Sequence, residues 1–178
     1  MTRWWSCDRR RGRGLCVSVN GYEVRVDIQV RFRDVDALGH VNNAVFGTYF
    51  EMARVEYFKT LMGSVDARWF PFVIARLEMD YVAPVTLADA LSCDIRVAAA
   101  TRSTFTFEYL IRKRGSQEVV AQGRTVQVCY SHETKRSAPL DDALWERMVA
   151  LRTGRGLAAP ERTGKRTGST DQEKEGSA

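Results

Sequence analysis

The period of the hydrophobic pattern changes between residues 33 and 46, and this change constrains the fold more than any other feature. Before it, apolar residues alternate with polar ones, at Val24, Val26, Ile28, Val30 and Phe32. A period of two predicts a strand with one buried and one exposed face. After it, apolar residues recur every three or four positions, at Phe46, Phe50, Ala53, Tyr57 and Leu61. This spacing predicts an amphipathic helix, and Gly63 is suited to end it.

The period returns to two after this helix. Four more strands are predicted, over residues 72–82, 90–99, 104–112 and 118–130. The last two are joined through a short polar segment in which Gly115 favours a hairpin turn. A terminal helix is predicted over 141–150, with Asp141 as its cap. One strand, one long helix and four consecutive strands predict the α+β class with an antiparallel sheet.

Length and composition predict one domain flanked by two polar ends. The chain has 178 residues, of which 44% are hydrophobic and 28% charged, as in ordinary globular proteins. Residues 1–20 have no sustained period, and their arginines outnumber the single acid Asp8, so we expect a disordered basic arm. Residues 21–151 are expected to form the domain. Residues 152–178, rich in Gly, Thr, Ser, Lys and Glu, are expected to be a disordered polar tail.

The residue composition and the absence of certain motifs disfavour several classes of protein. The four cysteines form no CxxC pair and the two histidines lie far apart, so neither a metal site nor a disulfide framework is expected. No apolar run approaches the roughly 20 residues of a membrane helix. The net charge of +5 comes with no helix-turn-helix or aromatic-basic platform, so no nucleic-acid partner is expected. Cysteine usage without a secretory segment favours the cytoplasm.

The segment from Val30 to Phe58 reads VRFRDVDALGHVNNAVFGTYFEMARVEYF. It resembles the opening of the hot-dog-fold acyl-CoA thioesterases, in the 4-hydroxybenzoyl-CoA thioesterase-like branch, and the looser resemblance extends over residues 22–145. It implies a five-stranded antiparallel sheet wrapped around one long central helix. It also implies hydrolysis of an acyl-CoA to a free carboxylic acid and CoA, with no cofactor, by a homodimer or homotetramer whose active site lies between subunits.

By this resemblance Asp36 occupies the position of the catalytic aspartate. Its carboxylate would either attack the thioester carbonyl to give a mixed anhydride or act as general base on water, and the sequence leaves both routes open. The helix is expected to begin at Asn42 or Asn43, where unpaired amides lie at the positive end of its dipole. The resemblance assigns the Asn43 amide to the thioester oxygen. Gly39 allows the tight turn between carboxylate and helix.

Three other assignments follow, each with an alternative. His40 either positions the carboxylate and water or merely fixes the turn. Phe46 is expected to line the acyl pocket. Arg102 either contacts the CoA phosphates, as basic residues do in some relatives, or is a solvated arginine at a strand end. Asp34 competes with Asp36 as the turn carboxylate, although only Asp36 matches the position in the family.

Two other functions remain compatible with this sequence. One is a non-catalytic acyl-CoA-binding protein with the same fold. The other is an enoyl-thioester hydratase or dehydratase, although the Asp/His motif favoured by those hot-dog enzymes is absent from the sequence. Fold alone does not separate these activities, because function depends on the site.

Overall fold

The computed structural model describes residues 20–64 and 72–164. Within these residues, two α-helices and seven strands follow one another as β1 (Val24–Gln29), α1 (Val45–Met62), β2 (Phe72–Tyr81), β3 (Ala90–Ala100), β4 (Thr104–Lys113), β5 (Val119–Ser131), β6 (Arg136–Ser137), α2 (Asp142–Thr153) and β7 (Glu161–Arg162). One turn of 3-10 helix, Phe32–Asp34, lies between β1 and α1. The five long strands and both helices predicted from the hydrophobic period are therefore confirmed, with small shifts at their ends.

The five long strands form an antiparallel sheet in the order β1-β3-β4-β5-β2. Helix α1 packs on one face of the sheet, which we call the inner face. This arrangement confirms the α+β class and the sheet wrapped around a central helix. The count of five strands omits two short ones, since β6 pairs with β5 and β7 runs parallel to β3. Strands of two residues are too short to produce a period that a sequence pattern could detect.

Aromatic side chains fill the space between α1 and the inner face. The ring of Phe50 stacks on that of Tyr109, with centroids 4.1 Å apart. Tyr57 and Phe58 meet Phe107 edge to face, with centroids 4.7 Å and 5.9 Å apart. All five are buried, and burying a side chain of this size contributes about 1.5–3 kcal/mol. This aromatic core fixes α1, and therefore its first turn, against the sheet.

Two predictions about the segment before α1 are wrong. Strand β1 ends at Gln29, and Phe32, predicted to be buried, is 85% exposed. The cause is the turn of 3-10 helix, which removes Phe32 from the alternation of the strand. Helix α1 is preceded by Ala44 in the cap position rather than by Asn42 or Asn43. The Asn42 side chain still contributes, because its Oδ1 accepts a hydrogen bond of 2.9 Å from the Ala44 amide.

Residues 152–164 differ from the predicted disordered tail. Arg152 lies in the last turn of α2 and donates to the side chain of Glu23, and β7 pairs with the end of β3. The sequence pattern did not detect this because the anchoring contacts connect residues 62 to 129 positions apart. The remainder of the predicted tail, 165–178, and residues 1–19 of the predicted arm lie outside the described residues. No helix in the part of the chain that the structure describes is long and apolar enough to cross a membrane.

Candidate active site

A small hairpin connects β1 to α1. Val35 and Val41 form an antiparallel bridge, and the Asn42 amide donates to the Asp34 carbonyl at 2.8 Å. The Val41 amide donates in turn to the Val85 carbonyl at 2.8 Å, which anchors the hairpin to the segment that follows β2. The hairpin therefore spans residues 34–42 and leads directly into α1, which begins three residues later.

The tip of this hairpin is the turn from Asp36 to His40. The Asp36 amide donates to the His40 carbonyl at 2.8 Å, and the Gly39 amide donates back to the Asp36 carbonyl at 3.0 Å. Gly39 has a φ of +80°, a conformation that costs a residue with a side chain but not glycine. The predicted role of Gly39 in the tight turn is thus supported by the backbone conformation. Its predicted part in substrate binding remains a proposal.

The Asp36 carboxylate is held by its own turn. Oδ1 accepts hydrogen bonds from the amides of Leu38, at 2.8 Å, and His40, at 3.3 Å. Oδ2 accepts no hydrogen bond from any group within residues 20–64 and 72–164. The side chain is half-buried. One oxygen therefore fixes the orientation of the group, and the other remains available to an incoming reactant.

Asn43 lies directly before the first turn of α1. Its amide N–H has no acceptor among the described residues, whereas its carbonyl accepts a hydrogen bond of 2.9 Å from the Tyr81 hydroxyl. The next amides are occupied, since Ala44 donates to the Asn42 side chain and Val45 donates to the Asn42 carbonyl. An unpaired N–H directly before a helix, at the positive end of its dipole, suits a carbonyl oxygen that acquires negative charge.

The two aromatic candidates differ in accessibility. His40 is exposed, and its imidazole has no partner within the described part of the chain, although its backbone closes the Asp36 turn. Phe46 is only 3% exposed, and its ring meets those of Tyr49 and Tyr81 edge to face at 5.8 Å and 5.3 Å. His40 can therefore turn toward a ligand, whereas Phe46 forms part of the wall that supports the site.

Asp34 is structural. It is 8% exposed, and its Oδ2 accepts hydrogen bonds from the Arg31 amide at 2.9 Å and the Tyr49 hydroxyl at 3.0 Å. Burial, followed by the hydrogen bond to Asp34, raises the pKa of Tyr49 well above its ordinary value, so the phenol remains a donor at neutral pH. Among the described residues, the other oxygen of Asp34, Oδ1, meets only Arg33, whose Nε lies 3.9 Å away. Burial therefore distinguishes the two acids, since Asp34 is enclosed and the Asp36 carboxylate is only half-buried.

Arg102 is not brought to this site within one chain. It is exposed in the turn between β3 and β4, beside the end of β3 at Ala100. The hairpin follows β1, whose last residue Gln29 pairs with Ala90 at the opposite end of β3. The length of β3 separates the two regions, roughly 30 Å at the usual rise per residue of a strand. The other predicted site residues lie together on the hairpin and at the start of α1: Asp36, Gly39, His40, Asn43 and Phe46.

Sequence reasoning missed the two tyrosines that support this region. Tyr49 lies within the predicted helix, and Tyr81 ends β2 and reaches a residue 38 positions earlier. Neither carries a local signal, because each acts through a contact that exists only in the folded chain. Among residues 20–64 and 72–164, no three His, Cys, Asp or Glu side chains are grouped as metal ligands would be.

Comparison with known families shows to which family the chain belongs. The family model described as the thioesterase-like superfamily matches residues 30–148, which include the hairpin, α1 and all the long strands after β1. The chain belongs to the thioesterase-like superfamily. It is therefore a thioester hydrolase with the hot-dog fold.

Similar proteins include both characterised sequences and solved structures. Acyl-CoA thioesterase YbgC of Haemophilus influenzae is 32% identical over 93 residues, which are 50% of this chain and 67% of that protein. Long-chain acyl-CoA thioesterase FadM of Escherichia coli is 25% identical over 133 residues, 72% of this chain and 98% of that protein. A Thermus thermophilus thioesterase, crystallised with coenzyme A and zinc, is 41% identical with a TM-score of 0.69, over 76% of this chain and 98% of that one.

Proposed function

We propose that the protein is an acyl-CoA thioesterase that hydrolyses its substrate to a free carboxylic acid and CoA, with Asp36 as the catalytic carboxylate. The observation that carries the proposal is that an aspartate with one oxygen anchored and the other without a partner shares a short hairpin with the unpaired Asn43 amide. The names of the similar YbgC and FadM proteins support a CoA thioester as the substrate.

Two routes use these groups. In the first, Oδ2 of Asp36 attacks the carbonyl carbon, the C–S bond breaks to release CoA as thiolate, and water then opens the mixed anhydride to regenerate the carboxylate. In the second, the carboxylate takes a proton from water as the water attacks, and that proton passes to the departing thiolate. In both, the Asn43 amide donates to the oxygen that becomes negative. A donor of this kind contributes on the order of 3–4 kcal/mol to the transition state.

The remaining candidates have supporting roles in this proposal. His40, exposed beside the carboxylate, is suited to position the attacking water. Gly39 keeps the turn narrow so that the thioester can approach the backbone, and Phe46 supports the inner end of the acyl pocket. Because Arg102 lies about one strand length away from Asp36 of its own chain, we assign it to the phosphates of a CoA bound at the site of a second copy.

We further propose a homodimer, or a tetramer built from dimers. Strand β2 is an edge of the sheet, since it pairs only with β5 among the described strands. Ile74, Leu77 and Tyr81 on this strand are 44–48% exposed. An exposed apolar edge strand favours pairing with another chain, and a second copy there would also bring its own residues close to the Asn43 amide.

The proposed function is tested by following thiol release from short-chain, long-chain and aromatic acyl-CoAs. Asp36→Asn should lower kcat about 100-fold or more, because the amide is neither nucleophile nor base. The matched control is Asp27→Asn, an exposed carboxylate on β1 that points away from α1. It should retain wild-type turnover. Circular dichroism on both variants checks that the fold is intact.

Three outcomes of this assay contradict the proposal in distinct ways. Turnover that survives Asp36→Asn removes Asp36 from the mechanism. Saturable CoA-ester binding without thiol release indicates a non-catalytic binding protein. If an enoyl-CoA is offered as well, loss of its absorbance without thiol release indicates a hydratase.

A further inference from the structure

Tyr81 is the last residue of β2 and lies beside the start of α1. It is 48% exposed, yet its hydroxyl has a defined partner, since it donates to the Asn43 carbonyl at 2.9 Å. No other donor within residues 20–64 and 72–164 reaches that carbonyl. The edge strand of the sheet is thus tied to the residue that carries the unpaired amide.

This hydrogen bond helps to fix the direction in which the Asn43 N–H points. Only two soft dihedral angles separate the amide from the carbonyl within one residue. The peptide that carries the Asn43 N–H is held through its carbonyl, because the Asn42 carbonyl accepts a hydrogen bond of 2.9 Å from the Val45 amide. The peptide after it is held by Tyr81 through the carbonyl and by the Asn42 side chain through the Ala44 amide. With both peptides fixed, the direction of the Asn43 N–H is fixed as well.

The Tyr81 ring is itself held in place. It meets Phe46 edge to face at 5.3 Å, and Phe46 meets Tyr49 in the same way at 5.8 Å. The Tyr49 hydroxyl then donates to the buried Asp34 carboxylate. A chain of three aromatic rings therefore links β2 to the hairpin through the first turn of α1. A half-exposed tyrosine without these contacts would be free to rotate into solvent.

We propose that Tyr81 is a positioning residue that aims the Asn43 amide at the thioester oxygen. This inference rests on the proposed function, because it presupposes that the amide is the oxyanion donor. Tyr81 acts through Asn43 and exchanges no proton with the substrate. Loss of its hydroxyl should therefore lower kcat and leave KM nearly unchanged, since the oxygen needs the donor most strongly in the transition state.

The test is Tyr81→Phe, which removes the hydroxyl and keeps the ring against Phe46. We expect kcat to fall about 10-fold, less than the 100-fold or more that follows complete loss of an oxyanion donor. The pH profile should keep its shape, since no titrating catalyst is removed. The control is Tyr130→Phe on β5, whose hydroxyl has no hydrogen-bond partner in the described part of the chain. It should retain wild-type kcat and KM.

A second measurement separates this inference from the proposed function. The NMR order parameter of the Asn43 amide should fall in Tyr81→Phe and stay unchanged in Tyr130→Phe, whatever the activity. Wild-type kcat in Tyr81→Phe, or a raised KM with unchanged kcat, overturns the positioning role. An unchanged order parameter overturns it too. A lowered order parameter in a protein whose wild type releases no thiol supports the positioning contact and shows that the proposed function has failed.

Discussion

Two aspartates two residues apart, Asp34 and Asp36, lie in different environments. Asp34 is buried and satisfied by Arg31 and Tyr49, so replacing it would leave buried donors without an acceptor. Asp36 is half-buried and keeps one oxygen without a partner among the described residues. Residue type and spacing alone made both acids candidates. The difference in burial favours Asp36 over Asp34 as the carboxylate of the proposed mechanism.

Glu23 shows the same dependence on environment outside the site. Its side chain is fully buried, and it accepts hydrogen bonds from Arg152 at 2.6 Å and from the Val97 amide at 2.9 Å. Burial raises the pKa of Glu23 above its ordinary 4.5, and the hydrogen bond from Arg152 only partly offsets this rise. The buried pair ties the start of β1 to the end of α2.

This raised pKa predicts a pH dependence of stability. Between pH 4.5 and the higher pKa of the folded state, the native protein keeps a proton that the unfolded chain has released. The stabilisation is full below pH 4.5 and is lost as the pH rises through the folded pKa. The free energy of unfolding of the wild type should therefore fall relative to that of Glu23→Gln over this range.

Urea unfolding from pH 4 to pH 8 measures that difference. A Glu→Gln change at the exposed Glu133, in the turn after β5, corrects for the loss of one charge. Parallel pH curves for the wild type and Glu23→Gln would contradict the expectation.

At the scale of elements, the packing of α1 on the sheet requires a glycine at one position of β5. Gly123 lies on the inner face of β5, opposite Tyr109 on one side and Met79 on the other. A Cβ at this position would come within 2.5 Å of the Phe50 ring and 2.6 Å of the Glu78 carbonyl. The rings of Phe50 and Tyr109 can therefore stack only because residue 123 of β5 has no Cβ.

Gly123→Ala should lower the free energy of unfolding by about 1–3 kcal/mol, the usual range for overpacking a filled core. The Glu78 contact is with backbone and cannot be relieved by rotating a side chain. Gly115→Ala, in the β4–β5 turn where an added Cβ meets nothing within 4 Å, is the matched control and should change stability little. Denaturant melts of both variants measure this. Equal stability of the two would show that the α1 interface adapts to the added methyl group.

A second contact between elements lies near this stack. Arg54 on α1 is 9% exposed, and it donates to the Tyr109 hydroxyl at 3.3 Å, which shares a 2.7 Å hydrogen bond with Thr125. Helix spacing alone favours pairing of Arg54 with Glu51, yet Glu51 is exposed. The helix is therefore joined to β4 and β5 by a polar contact inside an otherwise aromatic interface.

At the scale of the whole molecule, α1 leaves two surfaces of the sheet uncovered: the outer face, opposite α1, and the edge formed by β2. These two surfaces differ in character. The outer face carries a row of alternating charges across four strands, in which Arg96 pairs with Glu108 at 2.5 Å and Arg124 pairs with Glu78. These charges satisfy one another, and the side chains of Arg96 and Glu108 are only 15% and 17% exposed. The β2 edge instead exposes apolar side chains. We therefore expect subunits to associate through β2 rather than through the outer face.

Leu77→Lys on β2 should shift the protein from dimer or tetramer to monomer, because a charge in the contact would lose its hydration. Gln29→Lys, on the opposite edge strand β1, places the same charge outside the proposed contact and should not change the assembly. Sedimentation velocity over a range of concentrations distinguishes the species. A wild type that sediments as a monomer at tens of micromolar would exclude the proposed assembly.

The sequence by itself determined the long strands and the helices, and with the family resemblance it located the candidate site. Hydrophobic period sufficed for five strands and α1, and Gly63 and Asp141 were correctly expected to end α1 and cap α2. These are local properties, decided by side chains and backbone within a few residues. The segment from Asp36 to Phe46 was predictable for the same reason, since its members are neighbours in the chain.

Only the tertiary structure decided which groups meet across the chain. Tyr81 holds Asn43 over 38 positions and Arg152 reaches Glu23 over 129, while Phe32 faces outward although it continues the alternation of β1. The folded chain also separates Arg102 from Asp36 by the length of a strand. A linear pattern records period and spacing along the chain. Burial and hydrogen-bond partners instead depend on distances in space, which exist only once the sheet has closed around α1.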